Sequence, residues 1–260
     1  MKIEVIKVIA VGKTDVGKRR KQNQDSLFIC KDSIGNLPNL YIVADGMGGH
    51  KSGEVASNLV IHAFCEYIKI NKQVHIADEE DLFIFLKRGI SYANHVIYEK
   101  SHTDESLMGM GTTLTLCTLS DDFVYVAHVG DTRLYSYEGN VLKQITTDHS
   151  VVQELLDRGC ITEDELSEHP HRHMITRAVG TYDHIKVDVF KYPLENVEKL
   201  ILCSDGLTTM LQDITIATVL AEGKDLKEIL DKLVDSANEA GGYDNIAVII
   251  IEQSEVKKEC

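Results

Sequence analysis

The sequence predicts an α+β fold in which helices pack outside antiparallel sheets. Strand-like segments occur in groups separated by blocks of helix, whereas strict alternation of strands and helices would favour a parallel sheet. Short polar links at residues 120–122 and 138–140 follow two of the strands and are typical of antiparallel meanders. A chain of 260 residues can bury one large core, and it contains no linker-like tract. We therefore expect a single domain over residues 1–260.

Local periodicity places the individual elements along the chain. Apolar and β-branched runs predict strands at residues 2–11, 26–30, 40–44, 112–119, 123–129, 133–137, 186–192, 199–203 and 245–252. Apolar residues at helical spacing predict helices at 52–70, 82–98 and 226–240, with positions 55, 59, 63 and 67 forming the stripe of the first. Asp225 is the expected N-cap of the last helix, and Gly241 follows its end.

Residues 148–177 differ from the rest of the chain in composition. Two short helices are predicted here, because Ser150 is followed by Gln153 and Thr162 by Glu165 at capping-box spacing. The segment is polar, rich in histidine and lacks a long apolar face. We expect it to be an excursion from the sheets and not a layer of the core.

Composition and charge restrict the partners and the location. The formal net charge of −14 argues against a nucleic-acid partner, because phosphate backbones are bound by basic patches. No apolar run approaches the roughly 20 residues of a membrane span, and the N-terminal segment lacks a signal-peptide pattern. The 6 cysteines form no C-x-x-C pair and four lie in apolar runs, which favours buried free thiols in a reducing compartment. We expect a cytoplasmic monomer without a membrane anchor.

Five aspartates stand at the ends of strand-like segments. Asp45 and Asp205 each follow an apolar run and precede a glycine, and Asp25, Asp131 and Asp244 lie beside three other predicted strands. A single Asp-Gly pair at a strand end is an ordinary turn. Turns alone do not explain five such carboxylates, so we expect them to converge at the edges of the sheets.

Converging carboxylates indicate a metal centre. They repel one another unless a cation lies between them. Oxygen ligands without an accompanying histidine or cysteine favour Mg²⁺ or Mn²⁺ over zinc. Two such ions about 3.5–4 Å apart can share a water and lower its pKa, which makes it a nucleophile near neutral pH. The pattern therefore predicts a hydrolytic centre.

Eight segments of the chain carry a resemblance to a known family. They are DVGKRRKQNQD (15–25), VADGMGGHKSGEVAS (43–57), MGTTLT (110–115), VAHVGDTRLY (126–135), TTDHS (146–150), MITRAVG (174–180), LCSDGL (202–207) and GYDNIAVI (242–249). In this order they resemble the motifs of the bacterial metal-dependent type 2C serine/threonine protein phosphatases, over essentially the whole chain. The resemblance implies a four-layer αββα sandwich, with the metals in a channel at one edge and residues 148–177 as a flap subdomain.

The resemblance also implies a set of metal ligands. Asp45 would bridge two Mn²⁺ or Mg²⁺ ions, and the carbonyl group of Gly46 would help to hold one of them. Asp205 and Asp244 would complete the other ion, while Asp131 and Asp205 would hold a third, weaker ion. A glycine after Asp45 then has a reason, since a side chain there would obstruct the approach of its carbonyl group to a cation.

Two further residues are assigned by the resemblance to water and to substrate. Asp25 matches the acid that orients metal-bound water. Arg20 matches the residue that grips the substrate phosphate, for which a guanidinium group offers two parallel donors. We interpret its neighbours Lys18, Arg19 and Lys21 as solvated side chains.

Two positions depart from the family pattern. Gln24 stands where many members carry glutamate, and Met47 stands where animal members carry a histidine proposed as general acid. A thioether cannot donate a proton, so another group must serve. His50 and a metal-bound water, such as one on the Asp131 ion, are the two candidates, and we favour the water.

These observations predict a phosphoserine and phosphothreonine protein phosphatase. Hydrolysis would proceed by attack of a hydroxide that bridges two ions, without a phosphoenzyme, because no cysteine begins a C-x₅-R loop. Its partners would be phosphorylated proteins and a cognate serine/threonine protein kinase. Two alternatives stay open: a non-catalytic phosphoprotein-binding module of the same fold, and a metal-dependent phosphodiesterase or nucleotide hydrolase.

Overall fold

Two antiparallel sheets stack face to face in the computed structural model, which describes residues 4–49, 52–120, 122–166, 168–223 and 225–257. The first sheet has the order β1 (Glu4–Asp15), β11 (Ile246–Lys257), β10 (Lys199–Cys203), β7 (Arg133–Glu138), β8 (Val141–Gln144). The second has the order β2 (Asp25–Cys30), β3 (Leu40–Met47), β5 (Leu114–Leu119), β6 (Phe123–Val129), β9 (Asp188–Pro193), and the short β4 (Gly111–Thr112) pairs with β3.

Helices cover the outer face of each sheet. The helices are α1 (Ser52–Ile70), α2 (Glu79–Thr103), α3 (Val151–Asp157), α4 (Glu163–Leu166), α5 (Asp205–Thr208), α6 (Asp213–Glu222) and α7 (Leu226–Glu239). One apolar cluster joins α1 and α2 to the second sheet, and another joins α6 and α7 to the first. A third cluster fills the space between the sheets. The predicted α+β class and four-layer sandwich are therefore confirmed.

Strand β11 shows why some strands are apolar at every position. Ile246, Val248 and Ile250 pack toward the helices, whereas Ala247 and Ile249 pack between the sheets. Successive side chains of a strand point to opposite faces. Because both faces are covered, a continuous apolar run replaces the alternation of a half-exposed strand.

Each predicted element is present, with ends that differ from the prediction by up to five residues, and three further differences occur. β8, α5 and α6 were not predicted, since they are short or lack a clear apolar stripe. The predicted strand 112–119 is interrupted at Thr113, where the backbone turns to contact Asp45. The buried stripe of α1 is Ala56, Val60, Phe64 and Ile68, each one residue after a predicted position. Of the predicted positions, Ala63 is also buried.

The described residues also bear on the expectations about membranes and thiols. No helix in the described part of the chain is long and apolar enough to cross a membrane. Cys30, Cys65, Cys117, Cys160 and Cys203 are free thiols, as predicted; Cys117 and Cys203 are buried, but Cys160 is exposed.

Candidate active site

Asp25 and Asp45 face each other across two neighbouring strands. Asp25 is the first residue of β2, and the antiparallel register places it directly opposite Asp45 near the end of β3. The Asp45 N–H donates to Thr113 Oγ1 at 3.0 Å, and the Thr113 N–H donates to the Asp45 carbonyl at 2.8 Å. The backbone of Asp45 is thus held by hydrogen bonds, which leaves its carboxylate to face the cavity described below.

Two glycines allow the end of β3 to touch the start of α1. A Cβ atom on Gly46 would overlap the carbonyl group of Gly53, and one on Gly53 would lie 2.7 Å from the Gly46 carbonyl oxygen. The Gly46 N–H donates to the Gln24 carbonyl at 3.0 Å. Close packing of three backbone segments therefore requires glycine at position 46, whether or not its carbonyl group also binds a cation.

Asp205 and Asp244 come from two segments that pack on each other. Asp205 is the first residue of α5, directly after β10, and its Oδ1 atom is buried without a hydrogen-bond partner among the described residues. A Cβ atom on Gly206 would overlap the Asn245 carbonyl group, so this glycine lets α5 approach the loop before β11. Asp244 Oδ1 accepts from the Asn245 N–H at 2.8 Å, and Oδ2 accepts from Arg20 Nη2 at 2.7 Å.

Asp25 is the least exposed of the five predicted site aspartates, with 6% of its surface exposed. Its Oδ2 atom accepts from the Ser204 hydroxyl at 2.6 Å, while its Oδ1 atom has no partner among the described residues. Ser204 in turn accepts from the Ala247 N–H at 2.8 Å. One hydroxyl group therefore ties β2 of the second sheet to β10 and β11 of the first.

Asp131 lies in the turn between β6 and β7, and adjacent residues hold both sides of this turn. The Gly130 N–H donates to His149 Nδ1 at 3.0 Å, and the His149 N–H donates to the Gly130 carbonyl at 2.7 Å. Arg133 donates from Nε and Nη2 to the two carboxylate oxygens of Asp148, at 3.0 and 2.7 Å. The position of Asp131 is consequently coupled to the start of the segment 148–177.

A cavity of about 820 Å³ brings most of the predicted site residues together. Its lining includes Arg20, Asp45, Gly46, Asp131, Asp205 and Asp244. Asp25 is paired with Asp45 in the register of the sheet but is not part of this lining, whereas Met47 also lines the cavity. His50 lies outside the described residues, so its predicted role is neither supported nor contradicted by the geometry.

Several cavity residues were missed by sequence reasoning. Arg172 and His173 line the cavity from the segment 148–177, and Tyr243 lines it beside Asp244. Asn245, only 3% exposed, donates from Nδ2 to the carbonyl groups of Val16 and Gln22, both at 2.9 Å. The motifs that contain Tyr243 and Asn245 were visible in the sequence, but their partners lie far away along the chain.

Burial and like charge raise the pKa of four carboxyl groups. Burial, together with the charges of Asp205 and Asp244, raises the pKa of Asp25 to about 7. The pKa values of Asp45, Asp131 and Asp205 are also raised, first by burial and then by neighbouring aspartates. The protein thus holds several carboxylates where each disfavours the ionised form of the others.

The residues fit a hard divalent cation. The predicted ligands are all oxygen donors. Asp25 and Asp205 each present a buried oxygen without a partner among the described residues, and the raised pKa values indicate that the clustered carboxylates lack nearby positive charge. Within the described ranges no group of three or more His, Cys, Asp or Glu side chains is arranged to hold an ion by itself. Magnesium-like ions commonly use one or two carboxylates and fill the remaining positions with water. Asp244, turned to Arg20, would have to be released before it could contribute.

Comparisons with known proteins agree with this geometry. The family model described as protein phosphatase 2C matches residues 16–248. A serine/threonine phosphatase of Listeria welshimeri is 36% identical over 248 residues, which is 95% of this chain and 96% of that protein. The crystal structure of the serine/threonine phosphatase Stp1 from Staphylococcus aureus superposes with a TM-score of 0.85 at 31% identity, over 94% of both chains.

One similar structure contains metal. The catalytic domain of the serine/threonine protein phosphatase PstP, crystallised in complex with 2 manganese ions, has a TM-score of 0.79 and 30% identity. The similarity covers 96% of this chain and 99% of that one.

The glycine contact at the end of β3 predicts a sharp difference between two substitutions. Gly46→Ala should destabilise the protein by about 1–3 kcal/mol, because the new methyl group meets backbone that must shift. Gly49→Ala is the matched control, since no atom of the described residues lies within 4 Å of a Cβ atom there. Thermal unfolding of both variants measures the difference. Equal melting temperatures would contradict the close-packing argument.

The raised carboxyl pKa values predict that added Mn²⁺ stabilises the protein more at about pH 8 than at about pH 5. Asp25 has a pKa of about 7 when folded, against an ordinary value of 3.8, so the folded state binds more protons than the unfolded state between these values. In metal-free protein this contribution destabilises the fold as pH rises through that window. The measurement is the rise in melting temperature on adding Mn²⁺ at both pH values. In Asp25→Asn this rise should depend less on pH.

Proposed function

Because the chain belongs to the protein phosphatase 2C family and is a protein-serine/threonine phosphatase, we propose that it hydrolyses phosphoserine and phosphothreonine in proteins with the help of divalent cations. One observation carries this proposal. Aspartates from separate strands and loops of both sheets converge around one cavity that Arg20 also lines, and their raised pKa values would be lowered by a bound cation.

We assign the cations to positions between the carboxylates around the cavity. Asp45 would contact both of two Mn²⁺ or Mg²⁺ ions, the Gly46 carbonyl group would help to hold one of them, and Asp205 and Asp244 would hold the other. Asp131 would join Asp205 at a third, weaker site. When bound, the two ions would supply Lewis acidity, which lowers the pKa of a shared water and makes it a nucleophile near neutral pH.

The residues of this chain would then bind and orient the reactants. Arg20, whose side chain is 49% exposed, contacts Asp244 Oδ2, and a phosphate group would compete for the same guanidinium donors. Asp25, fixed by Ser204, has its free Oδ1 atom available to accept a hydrogen bond from water. No cysteine lines the cavity in the described part of the chain, which favours direct attack of water over a cysteinyl-phosphate intermediate.

The proton for the leaving alkoxide must come from a group other than Met47. Its thioether lines the cavity but cannot donate a proton. We propose that water supplies the proton and that His50 does not. An alkoxide needs this proton more than an activated aryl leaving group does. His50→Gln should therefore slow a phosphoserine peptide and an aryl phosphate by similar factors, and a loss confined to the peptide would identify His50 as the acid.

We also propose that residues 148–177 act as a flap beside the cavity and that the enzyme opposes a serine/threonine protein kinase in the cytoplasm. Arg172 and His173 of this segment reach the cavity lining, which supports the first point. The second rests on relationship to bacterial serine/threonine phosphatases and on the need for a kinase reaction to produce the substrate. Unchanged protein phosphoserine levels in cells lacking the enzyme would contradict it.

Asp45→Ala should be the most damaging single substitution. It removes an oxygen that would contact both core ions, so we expect turnover of a phosphoserine peptide to fall by at least about a thousandfold. Wild-type activity should require Mn²⁺ or Mg²⁺ and disappear with excess chelator. Activity that persists in chelator would contradict the metal assignment. Wild-type protein that binds phosphopeptides but never turns them over, with either metal, would favour the non-catalytic binding module.

Arg20 and Asp131 should separate substrate binding from chemistry. Arg20→Ala should mainly raise KM, because the guanidinium contacts phosphate already in the ground state. Asp131→Ala should mainly lower kcat by weakening the third ion. Steady-state kinetics over a range of Mn²⁺ concentrations measure both, and the reverse pattern would exchange the two roles.

A further inference from the structure

The loop of residues 16–22 is held at both ends by one buried side chain. Asn245 Nδ2 donates to the carbonyl groups of Val16 and Gln22, which are the first and last residues of the loop. Asn245 Oδ1 accepts from the Gln24 N–H at 2.8 Å, so the chain that leaves the loop is held by the same amide. The loop is therefore a fixed part of the cavity edge, directly beside Asp244.

Contacts with the glycine-rich segment before Asp244 fix the beginning of this loop. The N–H groups of Lys18 and Arg19 both donate to the Gly242 carbonyl, at 2.8 and 3.1 Å. Gly17 has a φ of 75° and approaches the Asp244 carbonyl too closely for a side chain. The Arg19 guanidinium lies 5.7 Å from the ring centre of Tyr243, which lines the cavity.

Positive charge is concentrated on the loop. Lys18, Arg19, Arg20 and Lys21 are consecutive and exposed in a chain of formal net charge −14. Arg20 pairs with Asp244, but Lys18, Arg19 and Lys21 form no ion pair with any residue that the structure describes. The nearest acid before the loop, Asp15, instead accepts from the Gly17 N–H and from Asn238.

We propose that Lys18, Arg19 and Lys21 form a specificity-determining basic rim that selects phosphorylated segments with acidic side chains next to the phosphoserine. This inference rests on the proposed phosphatase function. Arg20 lies within the rim and faces the cavity, and consecutive Cα atoms are about 3.8 Å apart, so neighbours of a phosphate held there come within reach of the rim.

The expected size of the effect follows from the exposure of these side chains. Exposed ion pairs contribute about 0.2–1 kcal/mol each, which corresponds to factors of about 1.4 to 5. Contacts with two or three rim residues therefore predict about a five- to tenfold preference in kcat/KM, expressed mainly in KM. Salt should weaken the preference, because the screening length falls from about 10 Å at 0.1 M to about 3 Å at 1 M.

The test compares two peptides that differ only in the residues flanking one phosphoserine, glutamates in one and glutamines in the other. The wild-type enzyme with Mn²⁺ should prefer the glutamate peptide at low salt. The variant Lys18→Gln/Arg19→Gln/Lys21→Gln should lose this preference, while its kcat/KM on p-nitrophenyl phosphate stays at the wild-type value. Arg20 is left unchanged, so loss of phosphate binding is not confused with loss of the rim.

A matched control has the same change of net charge elsewhere. Lys69, Lys72 and Lys87 are exposed on and after the far end of α1 and on α2, so Lys69→Gln/Lys72→Gln/Lys87→Gln should keep the preference. Equal kcat/KM of the wild-type enzyme for both peptides, or a preference that survives in the rim variant, would contradict the proposed role of the rim. Equal loss in the two triple variants would show only a net-charge effect and would also overturn it. Lack of turnover of either peptide by wild-type enzyme would instead contradict the proposed function.

Discussion

Mutual repulsion among buried aspartates is the constraint on which the rest of this structure depends. The register of β2 and β3 places Asp25 opposite Asp45, and Asp205 lies near enough to raise the pKa of both. Such an arrangement costs stability unless the carboxylates are protonated or share a cation. The sandwich must therefore hold them at fixed positions with the apolar packing of its three clusters, and the binding of cations recovers part of this cost.

Most of the groups that hold the acids in place are neutral. Ser204, Asn245 and Thr113 bind backbone or carboxylate groups around the cavity without adding charge. Neutral donors fix the positions of the carboxylates without compensating their negative charge. Uncompensated negative charge is what favours strong binding of a cation. Where glycines replace side chains, at Gly46 and Gly206, backbone segments from different elements meet directly and leave little freedom to relax.

The coupling between Asp131 and the segment 148–177 follows from two adjacent residues. Asp148 holds Arg133 on one side of the turn, and His149 holds Gly130 on the other. Burial lowers the pKa of His149, so the neutral ring accepts from the Gly130 N–H with Nδ1 while Nε2 faces Asp188. Movement of this segment would consequently be transmitted to the turn that carries Asp131.

The sequence by itself determined the fold class, the long strands and helices, and the positions of the aspartates at strand ends, because these follow from local periodicity. Only the tertiary structure decided that Ala56 and Val60 of α1 are fully buried while Val55 and Leu59 are partly buried against the same cluster, since all four side chains are apolar. It also decided the role of Asn245, whose partner Val16 lies 229 residues away. A hydrogen bond between distant segments has no local pattern, so packing of the two sheets had to bring its ends together.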